Sequence, residues 1–129
     1  MGKANADGSS QQGDAAYGVD VLKRAQAIDT KNPDIDINLG ICYLKQGSDQ
    51  GGNAVLAFQY AIARDPKYAA AYTRIGVVYE SQDNKEFMTQ WFDKGIAADP
   101  TYGPVYLRYF LYYEERDVNQ AKVYLDKWV

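Results

Sequence analysis

The chain has 129 residues, of which 47% are hydrophobic and 24% charged, and a formal net charge of −3. This length and composition are typical of one globular domain. The acidic balance and the lack of a basic block argue against a nucleic-acid partner, because such a partner requires several phosphates to be neutralised. No apolar run approaches the roughly 18 residues that cross a bilayer, so we expect no membrane insertion.

The residue types also argue against an enzyme. The chain has no histidine and one cysteine, Cys42. Structural zinc sites, Cys-His pairs and Ser-His-Asp triads are therefore excluded, and we expect no catalytic residue, cofactor or metal. The apolar surroundings of Cys42 predict a small packed side chain rather than a reactive thiol. A soluble protein is expected, and its compartment stays open between the cytoplasm and the bacterial periplasm.

The predicted elements follow a polar leader. Residues 1–13 have almost nothing apolar to bury, which predicts a disordered leader or a remnant of the expression vector. From Asp14 onward apolar residues recur at spacings of three and four, as on one face of a helix. Glycines, prolines and short polar breaks divide the remainder. We predict seven helices and no sheet, at 14–29, 33–46, 52–64, 69–81, 85–98, 103–115 and 118–128.

Two carboxylates stand at the start of the second predicted helix. Asp34, Asp36 and Asn38 briefly resemble a calcium loop, but Gly40 comes one position late and Lys45 occupies the place of the bidentate glutamate. We expect instead that Asp34 and Asp36 lie in the first turn of the helix, where carboxylates stabilise the positive end of its dipole.

An internal repeat is the strongest signal in the sequence. Asp65-Pro66 recurs 34 residues later as Asp99-Pro100, and Tyr72, Phe58 and Ile62 recur in the same phase as Tyr106, Phe92 and Ile96. Matches in phase through both halves of a unit indicate a duplicated pair of helices. The chain is therefore predicted to be a helical repeat protein.

The repeated residues resemble the tetratricopeptide repeat (TPR). Tyr72-x2-Ile75-Gly76-x2-Tyr79, followed by Met88-x3-Phe92 and Pro100, matches the pattern of that family with conservative changes. The resemblance implies an all-α, right-handed solenoid of antiparallel helical hairpins, forming one domain over 14–129. It comprises a half repeat at 14–32 and repeats at 33–68, 69–102 and 103–129, and the chain looks like a piece of a longer array.

Small residues in the motif have a packing role. Gly40 and Gly76 are expected to let the two helices of a hairpin approach closely, beside Phe58 and Phe92. Gly76→Leu should therefore be destabilising, whereas Gly76→Ala is expected to be nearly neutral because alanine is a better helix former. In the last unit Phe110 replaces the glycine. It belongs to a cluster with neighbouring tyrosines, where core packing is favoured over a binding surface: Tyr106, Tyr109, Tyr112 and Tyr113.

The resemblance implies a protein-protein interaction module that binds a peptide or protein segment in a groove formed by the first helices of successive hairpins. The groove residues implied by this alignment are Asn38, Ile41, Lys45, Thr73, Arg74, Val77, Arg108, Leu111 and Glu115. The family's best-known carboxylate clamp uses specific lysines and asparagines, but here Ile37 and Thr73 stand at one clamp position and Ile41 at another, so a strict clamp is not expected. Arg74 and Arg108 favour an acidic segment with an apolar anchor, although both arginines would equally well pair with nearby glutamates on a solvated face.

A second function is a structural or assembly segment of a longer scaffold that stacks through its ends. Val123, Tyr124, Leu125 and Trp128 form an apolar set on the last predicted helix. We expect self-association through this helix, and we expect Tyr124 and Trp128 to be less buried than Phe58 and Phe92. The identity of the partner is not encoded in these patterns.

Overall fold

In a computed structural model, residues 9–129 are described, with side chains from residue 14 onward. This part of the chain contains seven α-helices, one short 3₁₀ helix and no strand. The α-helices are α1 (Ser9–Ile28), α2 (Pro33–Gln46), α3 (Gly51–Arg64), α4 (Ala69–Ser81), α5 (Lys85–Ala98), α6 (Gly103–Tyr113) and α7 (Val118–Trp128). The 3₁₀ helix, Ser48–Gln50, lies in the glycine-containing break before α3.

The all-α prediction is confirmed, and the predicted helix boundaries differ from the observed ones mainly at two places. Helix α1 begins at Ser9 rather than at residue 14, because the added residues 9–13 are not apolar and so give no signal in the apolar periodicity on which the prediction depends. Residues 1–8 of the predicted leader lie outside the described residues. Helix α6 ends at Tyr113 rather than at 115.

The described part of the chain divides into two compact units, with the boundary between Asp65 and Pro66. In the first unit α2 packs against both α1 and α3. Its core includes Val19, Leu39 and Ala57, with Cys42 half-buried beside them. A Cβ atom added at Gly18 would lie 2.9 Å from the Cys42 sulfur, so this thiol packs against α1. The prediction of a packed cysteine is confirmed.

In the second unit α4 packs against α5, and α6 packs against α7. Its core contains Met88, Phe92, Val105, Tyr106 and Tyr109. Two other predicted members of the aromatic cluster, Tyr112 and Tyr113, pack against this core, which confirms the packing interpretation for those tyrosines.

The repeat is visible in matching side-chain contacts. The Tyr72 hydroxyl donates to the carbonyl of Pro66 at 2.8 Å, and the Tyr106 hydroxyl donates to the carbonyl of Pro100 at 2.7 Å. In each case a tyrosine in the first helix of a hairpin holds the carbonyl of the proline six residues before it. The recurring tyrosines and prolines therefore have one structural role, which is to fix how a hairpin begins.

The two repeat glycines lie against the aromatic rings predicted from the sequence. A Cβ atom added at Gly40 would lie 2.6 Å from Cζ of Phe58, and one added at Gly76 would lie 2.5 Å from Cε1 of Phe92. Both rings are fully buried. The expectation that Gly76→Ala is nearly neutral is wrong, because even a single methyl group meets the ring.

Candidate functional site

The second unit contains a cavity between α4 and the start of α6, called here the α4–α6 cavity. Its volume is about 230 Å³, and it is lined by Ala70, Thr73, Arg74, Val77, Tyr102, Pro104 and Arg108. The four α4 residues recur at spacings of three and four, so they share one face of that helix. Pro104 lies in the first turn of α6, where proline is well tolerated, and lines the cavity from there.

This cavity gathers part of the predicted groove. Four of its lining residues were implied by the repeat alignment, namely Thr73, Arg74, Val77 and Arg108. Leu111 and Glu115 do not line it. Because α6 ends at Tyr113, Glu115 lies in a turn, and its predicted place on a helix is wrong. That turn forms because Asp117 caps the first turn of α7 while its own backbone N–H donates to the Tyr113 carbonyl.

The other three predicted groove residues lie on α2 in the first unit. Asn38 and Lys45 are exposed, and Ile41 is half-buried. Their spacing places them on one face of α2, as the alignment implied. Their role in binding remains a prediction.

The two arginines of the α4–α6 cavity differ in their pairing. An Nη2 atom of Arg108 lies 3.3 Å from Oε1 of Glu80, and its buried Nε has no hydrogen-bond partner among the described residues. Arg74 is exposed and forms no ion pair within the described part of the chain. The interpretation of a solvated, glutamate-paired arginine therefore applies to Arg108 and not to Arg74.

Tyr102 and Thr73 set the polarity of the remaining wall. Burial raises the pKa of Tyr102, and the positive charge of Arg74 partly opposes that rise, so the phenol and the guanidinium act on each other. The Thr73 hydroxyl donates to the Ala69 carbonyl at 2.9 Å and is buried. Its hydrogen is thus used within α4, so Thr73 contributes shape to the cavity rather than a donor. In the sequence Tyr102 is marked only by its place two residues after the recurring Asp99-Pro100 pair, as Tyr68 stands two residues after Asp65-Pro66.

A buried ionic contact in the first unit was missed by the sequence analysis. Asp36 lies in the first turn of α2, as predicted, but it is fully buried. Its carboxylate accepts hydrogen bonds from Nε2 of Gln26 at 2.6 Å and from Nε of Arg64 at 2.5 Å. The three residues join α1, α2 and α3. The repeat alignment contained a signal, because Asp36 precedes Gly40 by the same four residues that separate Tyr72 from Gly76.

Comparison with known proteins supports the fold. No protein-family model matches the sequence, and no curated protein sequence matches it. The structure is similar to two crystal structures of MamA, a TPR-like protein. The first is 28% identical with a TM-score of 0.66, covering 84% of this chain and 63% of that one. The second is 27% identical with a TM-score of 0.67, covering 88% and 61%.

These likenesses define the class of fold. The chain has a TPR-like helical repeat fold, which suggests a protein-interaction or scaffold role. It spans less than two thirds of the length of the MamA chains. Among the described residues, no helix is long and apolar enough to span a membrane, and no group of three or more potential metal ligands occurs.

Proposed function

We propose that the protein is an interaction module that binds a segment of a partner protein in the α4–α6 cavity. The segment carries an acidic side chain and an aliphatic anchor. The observation that carries this proposal is Arg74, an exposed guanidinium at a cavity whose other walls include Val77 and Tyr102. A free guanidinium beside an apolar wall is suited to a carboxylate that adjoins an apolar side chain.

Because Arg108 is paired, the two arginines of the cavity offer different amounts of positive charge to a carboxylate. Glu80 neutralises part of the Arg108 charge, which leaves Arg74 as the stronger anchor for a carboxylate. Arg108 Nε remains as a buried donor without a partner in the described part of the chain, and an incoming carbonyl or carboxylate oxygen would satisfy it. The net charge of −3 repels acidic segments at long range, so specificity rests on these local cations.

Selection of peptides from a displayed random library on the immobilised full chain tests this function. Selected sequences should pair Asp or Glu with Leu, Ile or Val, and Arg74→Ala should weaken their binding by about tenfold, or about 1.4 kcal/mol. Arg24→Ala is the matched control, because Arg24 is exposed on α1 and pairs with Asp20 at 2.8 Å. Equal affinity of wild type and Arg74→Ala for every selected peptide would contradict the proposal.

Assembly through α7 is a second candidate function. This helix exposes Val118, Val123 and Trp128, and Trp128 is 46% exposed whereas Phe58 and Phe92 are fully buried. Exposed apolar residues on one helix favour association with another helix surface. If α7 mediates assembly, sedimentation over a concentration series should show self-association that Val123→Glu weakens. If the protein acts through the α4–α6 cavity instead, it should bind peptide as a monomer.

A further inference from the structure

The first unit contains a separate cavity of about 280 Å³, called here the α1–α3 cavity. Its lining includes the nearly fully buried Leu39 and Ala57 and the more exposed Tyr43, Leu56 and Tyr60. Leu56 and Tyr60 are each 52% exposed, so they present apolar surface beside the cavity. The remaining lining residues are polar: Lys23, Gln26 and Asn53. The cavity therefore has an apolar floor and a partly polar edge.

This cavity is distinct from the groove implied by the repeat alignment. Leu39 and Tyr43 line it from α2, and they lie one helical turn apart. Asn38, Ile41 and Lys45 occupy a nearly opposite face of the same helix, because successive residues turn by about 100° around a helix with 3.6 residues per turn. One helix thus presents two different surfaces.

Several polar groups at the α1–α3 cavity form no ion pair or side-chain hydrogen bond within the described part of the chain. Lys23 forms no ion pair among the described residues, and its Nζ lies 5.8 Å from the centre of the Tyr43 ring. The hydroxyls of Tyr43 and Tyr60 make no hydrogen bond to other described residues. The side-chain amide of Gln26, by contrast, donates a hydrogen bond to the Asp36 carboxylate. Of the described residues that line the cavity, Lys23 alone is charged, so this edge is positive.

We propose that the α1–α3 cavity is a second docking site, which binds a partner segment whose aliphatic side chain adjoins a carboxylate. The aliphatic side chain rests on Leu39 and Ala57 between Tyr43 and Tyr60, and the carboxylate pairs with Lys23. The volume lies just below the range of about 300–1,000 Å³ typical of small-molecule sites, which fits one anchoring side chain better than a cofactor. Aromatic walls around an apolar floor are typical of such anchor sites.

The site stands independently of the proposed function in the second unit. A chain with both sites binds two segments at once, so it bridges two proteins or two parts of one protein. Such bridging strengthens binding when the two segments are linked, because the second contact becomes intramolecular. The test must therefore separate the two cavities.

Titration of the isotope-labelled full chain by NMR tests the docking site. The probe is an acetylated and amidated hexapeptide of glycine and serine with one leucine next to one aspartate. We expect shift changes at the backbone amides of Lys23, Tyr43 and Tyr60 in the Arg74→Ala variant, in which binding at the α4–α6 cavity is weakened. Lys23→Glu should weaken this binding at least about tenfold, and Lys23→Arg should retain it. Lys31→Glu, outside the cavity, is the matched control.

Tyr60→Ala provides a variant that tests the wall rather than the charge. The side chain is half exposed, so its loss should preserve the helical circular dichroism spectrum while weakening the peptide at least about fivefold. Unchanged affinity of Lys23→Glu or Tyr60→Ala would overturn the proposal, as would shift changes confined to the second unit. Dilution-dependent shifts of the same amides without peptide would also overturn it, because a second copy of the chain would then be the occupant.

Discussion

Gly76→Ala is the most direct test of the packing that defines the repeat. The added methyl group would lie 2.5 Å from Cε1 of Phe92 and 3.2 Å from the backbone oxygen of Met88. The ring has little room to withdraw, because it is fully buried and packs edge-on against Tyr109 with centroids 5.0 Å apart. The substitution therefore forces α4 and α5 apart or displaces two aromatic rings.

Two opposing effects set the magnitude. Overpacking of a well-filled core costs about 1–3 kcal/mol, whereas replacing glycine by alanine in a helix stabilises it by about 1 kcal/mol. Because the neighbouring ring is held in place and one close atom belongs to the backbone, the upper half of the overpacking range applies. We expect Gly76→Ala to lower the free energy of unfolding by about 1–2 kcal/mol, which corresponds to a melting temperature lower by about 4–8 °C.

Gly52→Ala supplies the matched control. Gly52 lies in the first turn of α3, is exposed, and a Cβ atom added there meets nothing within 4 Å. This variant should be neutral or more stable by up to about 1 kcal/mol. Thermal and urea unfolding followed by circular dichroism measures both variants. In a double-mutant cycle, Phe92→Leu should reduce the cost of Gly76→Ala. Equal stability of Gly76→Ala and Gly52→Ala would refute the reasoning.

Three further predictions concern polar groups. Asp36→Ala should lower the free energy of unfolding by about 3 kcal/mol in urea titrations, because it leaves the Arg64 guanidinium, with its side chain 17% exposed, without its carboxylate. Asp83→Gly should raise the melting temperature, and Asp83→Ala should lower it, because Asp83 follows α4 with a φ of 57° that glycine adopts without strain. Burial, followed by the hydrogen bond to Asp93, raises the pKa of Tyr109, so the folded state holds this proton more tightly than the unfolded state. The stability that this tighter proton binding contributes is complete below the unfolded pKa of about 10 and is lost as the pH rises above it. The free energy of unfolding, measured from pH 8 to 11, should therefore decrease less steeply in Tyr109→Phe than in wild type.

The helices were predictable from the sequence because their signals are local. The spacing of apolar residues, together with Pro66, Pro100 and the glycine-containing breaks, placed four of the seven α-helices at their observed boundaries. The start of α1 was not predictable in this way, since polar residues extend a helix without changing its apolar face. The end of α6 is set by Asp117, which caps α7 and whose backbone N–H donates to the Tyr113 carbonyl. Helix propensities of residues 114 and 115 do not show whether α6 extends through them or ends so that α7 can be capped.

The candidate site was predictable only in part because it depends on contacts that vary between repeats. Alignment placed Arg74 and Arg108 at one equivalent position, and both line the α4–α6 cavity. It did not show that Arg108 has a glutamate partner, because that pairing joins residues 28 positions apart on two helices. It also did not show the burial of Asp36, which follows from the positions of Gln26 and Arg64 on two other helices.

Two kinds of residue stand at equivalent positions of the repeat in this chain: the glycines that pack against aromatic rings, and the arginines that line the α4–α6 cavity. Gly40 with Phe58 and Gly76 with Phe92 make the same close contact in each unit, as any repeat requires to bury its own hairpin. The equivalent arginines Arg74 and Arg108 do not share an environment, although the repeat gives them the same position. The fold alone does not require one arginine to be paired with a glutamate and the equivalent arginine to be unpaired. We therefore propose that selectivity at the α4–α6 cavity resides in Arg74, and that Arg74→Lys should weaken binding of a carboxylate segment there more than Arg108→Lys does, since lysine keeps the charge but loses the bidentate geometry. Parallel affinity measurements on the two variants decide this, and equal losses would contradict the inference, because they would show that the two arginines contribute alike.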